Sequence, residues 1–240
     1  MSWDTMVPVA LVLGLFGLVI LVLLWPGERQ GRRLLRRWGV DHPSDGDITD
    51  AVRYLKRRRF WYPWLFFLLP ALGGILGLSK DDSTTAWSVA WTVLIGGLLG
   101  EVLALRPARG EHRQASLVRR RVVDLVPAWA LVLLGIATAG GVLRYGIGHR
   151  WVALGLTVAC ALVAVVIVAL AVERPAAGDP TVDLVLRTRS ARVATGLAIA
   201  VPSSLPELQM SFPKALVFVL SLVALLAVVG PVRRTAATVG

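Results

Sequence analysis

Apolar residues fall into seven long stretches, at 6–25, 60–78, 87–105, 122–142, 151–172, 193–210 and 215–232, separated by short polar segments. An α-helix needs about 17–25 mostly apolar residues to cross the hydrocarbon core of a bilayer. The pattern predicts an all-α, polytopic integral membrane protein of seven transmembrane helices, forming a single membrane domain over residues 1–240. The sixth stretch is the weakest, because Pro202, Ser203, Ser204, Pro206 and Glu207 interrupt it.

Basic residues orient the spans. None precedes the first stretch, whereas Arg29, Arg32, Arg33, Arg36 and Arg37 follow it, the reverse of a secretory signal. An uncleaved first helix with its N-terminus outside is expected. Of the 26 Lys and Arg, that orientation puts 22 on the cytoplasmic side and leaves Lys80, Arg144, Arg150 and Lys214 outside. The C-terminus is then cytoplasmic. A re-entrant sixth segment would change the split only to 21 against 5, so charge alone does not choose between a full span and a re-entrant one.

Composition agrees with the pattern. Mean hydropathy is +0.69 and 17% of residues are charged, against about a quarter in soluble domains. A net charge of +11 would suggest nucleic acid in a soluble protein. Here the cations sit in clusters between spans and report topology, so no nucleic-acid partner is expected. Arginine dominates lysine 23 to three and asparagine is absent, a bias typical of GC-rich genomes, which points to a bacterial inner membrane. The one cysteine, Cys160, lies within an apolar stretch and acts as a small hydrophobe. Trp61, Tyr62, Trp64, Trp87, Trp91, Trp129 and Trp151 lie near span ends, as an interfacial belt does.

An internal repeat supports a full sixth span. Arg106-Pro107-Ala108-Arg109-Gly110-Glu111 and Arg174-Pro175-Ala176-Ala177-Gly178-Asp179 stand 68 residues apart. At the same offset Arg119-Arg120-Arg121 falls on Arg187-Thr188-Arg189, and Lys56-Arg57-Arg58-Arg59 precedes the second span in the same way. One N-terminal helix followed by three repeated helical hairpins is the architecture this implies.

The 27–59 segment is the longest cytoplasmic loop. Arg32, Arg33, Arg36 and Arg37 alternate with Leu34, Leu35 and Trp38, a pattern for an amphipathic basic helix at the anionic headgroups of membrane lipids. Further on, Ile48, Val52 and Leu55 recur at helical spacing, and Asp47 is placed to cap that helix. Asp41, His42, Asp45, Asp47 and Asp50 lack the spacing of a calcium loop, so no metal is expected there.

Acids in or beside spans are the remaining candidates for chemistry. Glu101 precedes Arg106 by five positions and Asp124 follows Arg121 by three, so boundary ion pairs are expected of both. On that placement Glu101→Gln costs little stability. Glu207, between Pro206 and Pro213 on the outer side, is the residue around which a polar pathway could form.

His42, His112 and His149 all fall in loops, and nucleotide-binding, serine-hydrolase and zinc-protease motifs are absent. No cofactor and no enzymatic activity are expected. The reading is a non-enzymatic accessory or scaffold subunit acting with anionic lipids and other membrane proteins. A small transporter with a pathway near the sixth helix is the alternative, and a lipid-modifying enzyme has the least support.

Overall fold

Prolines and capping residues set most helix boundaries in the computed structural model, which describes residues 3–23, 25–76, 85–104, 113–114, 121–173, 176–177, 179–205 and 211–230. The helices are α1 (Trp3–Leu23), α2 (Glu28–Arg37), α3 (Asp45–Phe60), α4 (Tyr62–Ile75) and α5 (Thr85–Ala104), then α6 (Val122–Leu125), α7 (Ala128–Ile147), α8 (Trp151–Glu173), α9 (Pro180–Ser204) and α10 (Phe212–Val229). Two two-residue strands, β1 (Arg113–Gln114) and β2 (Ala176–Ala177), pair antiparallel. Among the described residues the fold is thus all-helical apart from this clip. Among the described residues three helices, α7, α8 and α10, are long and apolar enough to cross a bilayer, which points to a membrane protein.

Local chemistry explains where these elements differ from the sequence expectation. The cytoplasmic helix α3 ends at Phe60 and the second span begins afresh as α4 at Tyr62, because Pro63 lacks an N–H and its ring crowds the carbonyl of Arg59. The fourth divides at Pro127, which holds Val126 extended at φ −124° and starts α7 at Ala128, later than expected. The sixth is a continuous 25-residue helix through Ser204 despite Pro202.

Caps follow familiar rules. Ser44 and Asp47 form a reciprocal box at the start of α3, with Ser44 N donating to Asp47 Oδ2 at 2.8 Å and Asp47 N to Ser44 Oγ at 3.2 Å. Ser44 is therefore the N-cap, and Asp47 is its partner three residues on. Asp179 caps α9 by accepting from Thr181 N and Val182 N. Gly39, at φ +88°, closes α2 with Val40 N bonded to the Leu35 carbonyl.

The bundle is built around α9. Every residue from 190 to 202 is buried, enclosed by α5, α7, α8 and α10. Small residues let the neighbours close in. A Cβ on Gly196 would lie 2.6 Å from Leu225 of α10, and one on Gly141 of α7 would lie 2.9 Å from both Pro202 and Thr157. Around this axis α10 turns Leu216, Val217, Val219, Leu220, Val223 and Leu226 outward. Such a surface suits hydrocarbon rather than water.

Helix directions follow from the contacts. Gly14 and Gly17 of α1 meet Phe67 and Pro63 of α4, while Gly73 of α4 meets Trp91 of α5 and Gly100 of α5 meets Tyr62 of α4, so α1, α4 and α5 alternate in direction. The α9–α10 pair is antiparallel as well, since Gly196 meets Leu225 and the Arg192 guanidinium meets the Gly230 carbonyl. One end of the bundle, the base, therefore collects α2, α3, α6, the ends of α5, α8 and α10, and the start of α9. Leu35, Ile48, Ala51 and Val182 form one apolar cluster there, and Tyr54, Leu55 and Ala104 another.

Candidate functional site

Three helices bring polar groups together at the base around one carboxylate. Glu101, in the last turn of α5, has no solvent exposure. A carboxylate at a helix C-terminus is opposed by the helix dipole and by desolvation, so it requires compensating donors. Arg58 of α3 places Nε 2.7 Å from Oε1. Tyr54, one turn earlier on the same face of α3, donates its hydroxyl to Oε2 at 2.7 Å, and Ser190 of α9 donates to the same oxygen at 2.8 Å.

A second arginine joins from α9. Arg189 Nη1 donates to the Tyr54 hydroxyl at 2.8 Å, and its guanidinium lies 5.4 Å from the Tyr54 ring centre. Arg58 lies 6.0 Å from the ring centre of Tyr62. Gly100 makes room for this arrangement, since a Cβ there would come within 3.3 Å of Tyr62 and 3.5 Å of the Arg58 carbonyl.

Protonation follows from the setting. Burial, then the Glu101 charge and hydrogen bond, push the Tyr54 phenol well above its ordinary value against the opposing pull of Arg189 and Arg58. Burial alone would lower Arg58, yet Glu101 overrides it and raises the guanidinium above its usual value. Burial, partly countered by Tyr62 and reinforced by Arg58 and Arg189, lowers neighbouring Arg59. Tyr54 thus remains a neutral donor and Arg58 a fixed cation.

Two more arginines of α9 act as struts. Arg192 Nε donates to the Leu125 carbonyl at 2.9 Å and Nη1 to the Gly230 carbonyl at 3.0 Å, tying α6 and the end of α10 to α9. Arg187 pairs with Asp183 one turn back at 2.6 Å and reaches the Ala171 carbonyl at 3.4 Å. These bonds satisfy carbonyls at helix ends that would otherwise be stranded.

The residues singled out in the sequence take different places. Arg32, Arg33, Arg36 and Arg37 are all exposed on α2. The opposite stripe of α2 is not left for lipid. Leu35 is fully buried with Ile48, Ala51 and Val182, an insertion worth about 1.5–3 kcal/mol. Gly31 sits so close to α3 that a Cβ would approach Val52 to 2.8 Å. Trp38 is half-buried, with the Arg192 guanidinium 5.8 Å from its ring centre.

Asp124 is exposed, and its carboxylate accepts the backbone N–H of Arg121 at 2.8 Å, capping α6 instead of holding a guanidinium. Arg106 and Glu207 lie outside the described residues. Among the described residues no three His, Cys, Asp or Glu side chains gather as metal ligands do.

Sequence reasoning marked Glu101 and missed Tyr54, Arg58, Arg189, Ser190 and Arg192. One usable signal was present: Tyr54 and Arg58 stand four apart and so share a helix face.

Both oxygens of Glu101 are thus held by donors from two other helices, an arrangement that locks helix positions. Comparison with protein families, with curated proteins and with solved structures found no match to the chain.

Proposed function

We propose that the chain is a non-enzymatic accessory or scaffold subunit of a bacterial inner membrane, acting through anionic lipids and other membrane proteins. The observation that carries this reading is the network at Glu101, which fastens α3 to α5 and α9. Through α3 it also fixes α2, whose Arg32, Arg33, Arg36 and Arg37 then form a rigid cationic face at the base. A lock of this kind suits a docking platform better than a moving gate.

Seven membrane crossings, with the N-terminus outside and the C-terminus cytoplasmic, accompany the proposal. Two independent lines support them. The 22 to 4 division of Lys and Arg is one. The other is that α2 and α3, the β1–β2 clip and the start of α9, all drawn from segments expected inside, meet at the same end of the bundle. Three hairpins repeated in the same sense fit the alternating helix directions.

Pull-down of the full chain from membranes in mild detergent tests the reading. A stoichiometric membrane-protein partner, lost when Arg32, Arg33, Arg36 and Arg37 are replaced by Gln, is the expected result. Substrate flux into reconstituted vesicles, with no partner retained, would support the transporter instead.

A further inference from the structure

Beside the locked carboxylate, and separate from it, a cleft of about 430 Å³ opens at the base, lined by Trp25, Lys56, Arg57, Phe60, Trp61 and Leu103. We propose that this cleft binds the phosphate group of an anionic phospholipid. Its size falls within the roughly 300–1,000 Å³ of ordinary ligand sites.

The depth of the cleft argues for lipid. Trp25 follows α1, Trp61 stands at the α3–α4 break, and Leu103 lies in the last turn of α5, so the cleft lies where the apolar belt gives way to the basic base. On the apolar side the large side chains of Val22, Leu23 and Trp64 are exposed, a surface on which acyl chains can lie. On the polar side Lys56 and Arg57 supply two adjacent cations, with the Lys56 ammonium 5.7 Å from the Trp25 ring centre. Tryptophan at this depth offers an indole N–H to a headgroup while its ring stays in the acyl boundary.

Charge complementarity selects the class of lipid. A phosphodiester with an uncharged headgroup meets two cations without opposition. A zwitterionic headgroup brings its own ammonium toward Lys56 and Arg57 and is repelled. The site rests on the membrane placement proposed above, but not on the accessory or scaffold role.

The test uses the full chain, delipidated in detergent and titrated with phosphatidylglycerol, phosphatidylcholine or soluble glycerol phosphate while bound lipid is counted by native mass spectrometry. One tightly retained phosphatidylglycerol is expected. Its affinity falls about thirty-fold in K56Q/R57Q, two near-surface charges acting together. R29Q/R53Q, which removes two cations elsewhere on the base, leaves it within about two-fold of the unaltered chain. L103W fills the cleft with both cations intact and also abolishes retention, which decides the matter if K56Q/R57Q fails to fold. Equal retention of phosphatidylcholine, or unchanged binding in K56Q/R57Q and L103W, would overturn the site. Glycerol phosphate binding as tightly as the lipid would overturn the lipid in favour of a free phosphate ester. A chain released from membranes by alkaline carbonate would instead count against the membrane placement itself.

Discussion

Arg58 and Glu101 sit with Nε and Oε1 2.7 Å apart at a position where the carboxylate has no exposure, so neither charge can change without the other. Removing one member of a buried pair leaves the survivor uncompensated, a cost of about 3–5 kcal/mol. Glu101→Gln should therefore destabilise the chain by that order, far more than a boundary pair with Arg106 would imply. Denaturant unfolding in detergent micelles measures it. Replacing both residues with apolar ones, Arg58→Met with Glu101→Leu, should recover much of the loss, as buried pairs commonly allow.

Tyr54 predicts a pH signature. Its phenol is raised in the folded chain, so its contribution to stability is complete below the unfolded tyrosine pKa of about 10 and is lost as pH climbs through the higher folded value. Absorbance titration of the folded chain should show a tyrosine component ionising above the ordinary range. That component should lose one tyrosine's amplitude in Tyr54→Phe. A chain in which all three tyrosines titrate together near pH ~10 would contradict the geometry.

Adjacent glycines should behave oppositely. Gly141→Ala drives a methyl to 2.9 Å from Pro202 and Thr157, and overpacking of this kind costs about 1–3 kcal/mol. Gly140→Ala meets nothing within 4 Å and should be neutral or stabilising by up to about 1 kcal/mol through helix propensity. Thermal unfolding of the two single variants separates them.

These contrasts show what was legible in the sequence. Hydropathy located α8 and α10 well, because both turn large aliphatic side chains outward and their apolar runs are long. The same measure ranked 193–210 last, although its residues 193–204 belong to the helix at the centre of the bundle. The reason is physical. A helix enclosed on every side needs Ala191, Ala194, Gly196, Ala198 and Ala200 for close approach, and it tolerates Ser190, whose hydroxyl donates to Glu101, and Thr195, whose hydroxyl donates to the Ala191 carbonyl one turn back. Hydropathy reports contact with hydrocarbon, and α9 has little.

Glu101 was legible as an anomaly, while its partners were not. Tyr54 and Ser190 lie 47 and 89 positions away, beyond any local spacing rule. Nothing in the sequence distinguishes Gly140 from Gly141, yet only Gly141 faces a neighbour.

The cap at the start of α9 offers a further check. Asp179 accepts two backbone N–H groups, so Asp179→Ala should cost about 0.5–2 kcal/mol, whereas Asp179→Ser retains most of the stability. Failure of the serine to rescue would mean that the carboxylate charge, rather than the cap, is what matters there.

Everything proposed for this chain requires that α9 cross the membrane as the axis of the bundle. Thr181→Cys and Ser211→Cys, each in a Cys160→Ala background, can be treated with an impermeant maleimide in right-side-out and in inverted membrane vesicles. Labelling of Thr181→Cys only in inverted vesicles and of Ser211→Cys only in right-side-out vesicles is the expected result. Labelling of both positions from one side would mean that α9 turns back within the membrane, and the proposed seven-span orientation would fall with it.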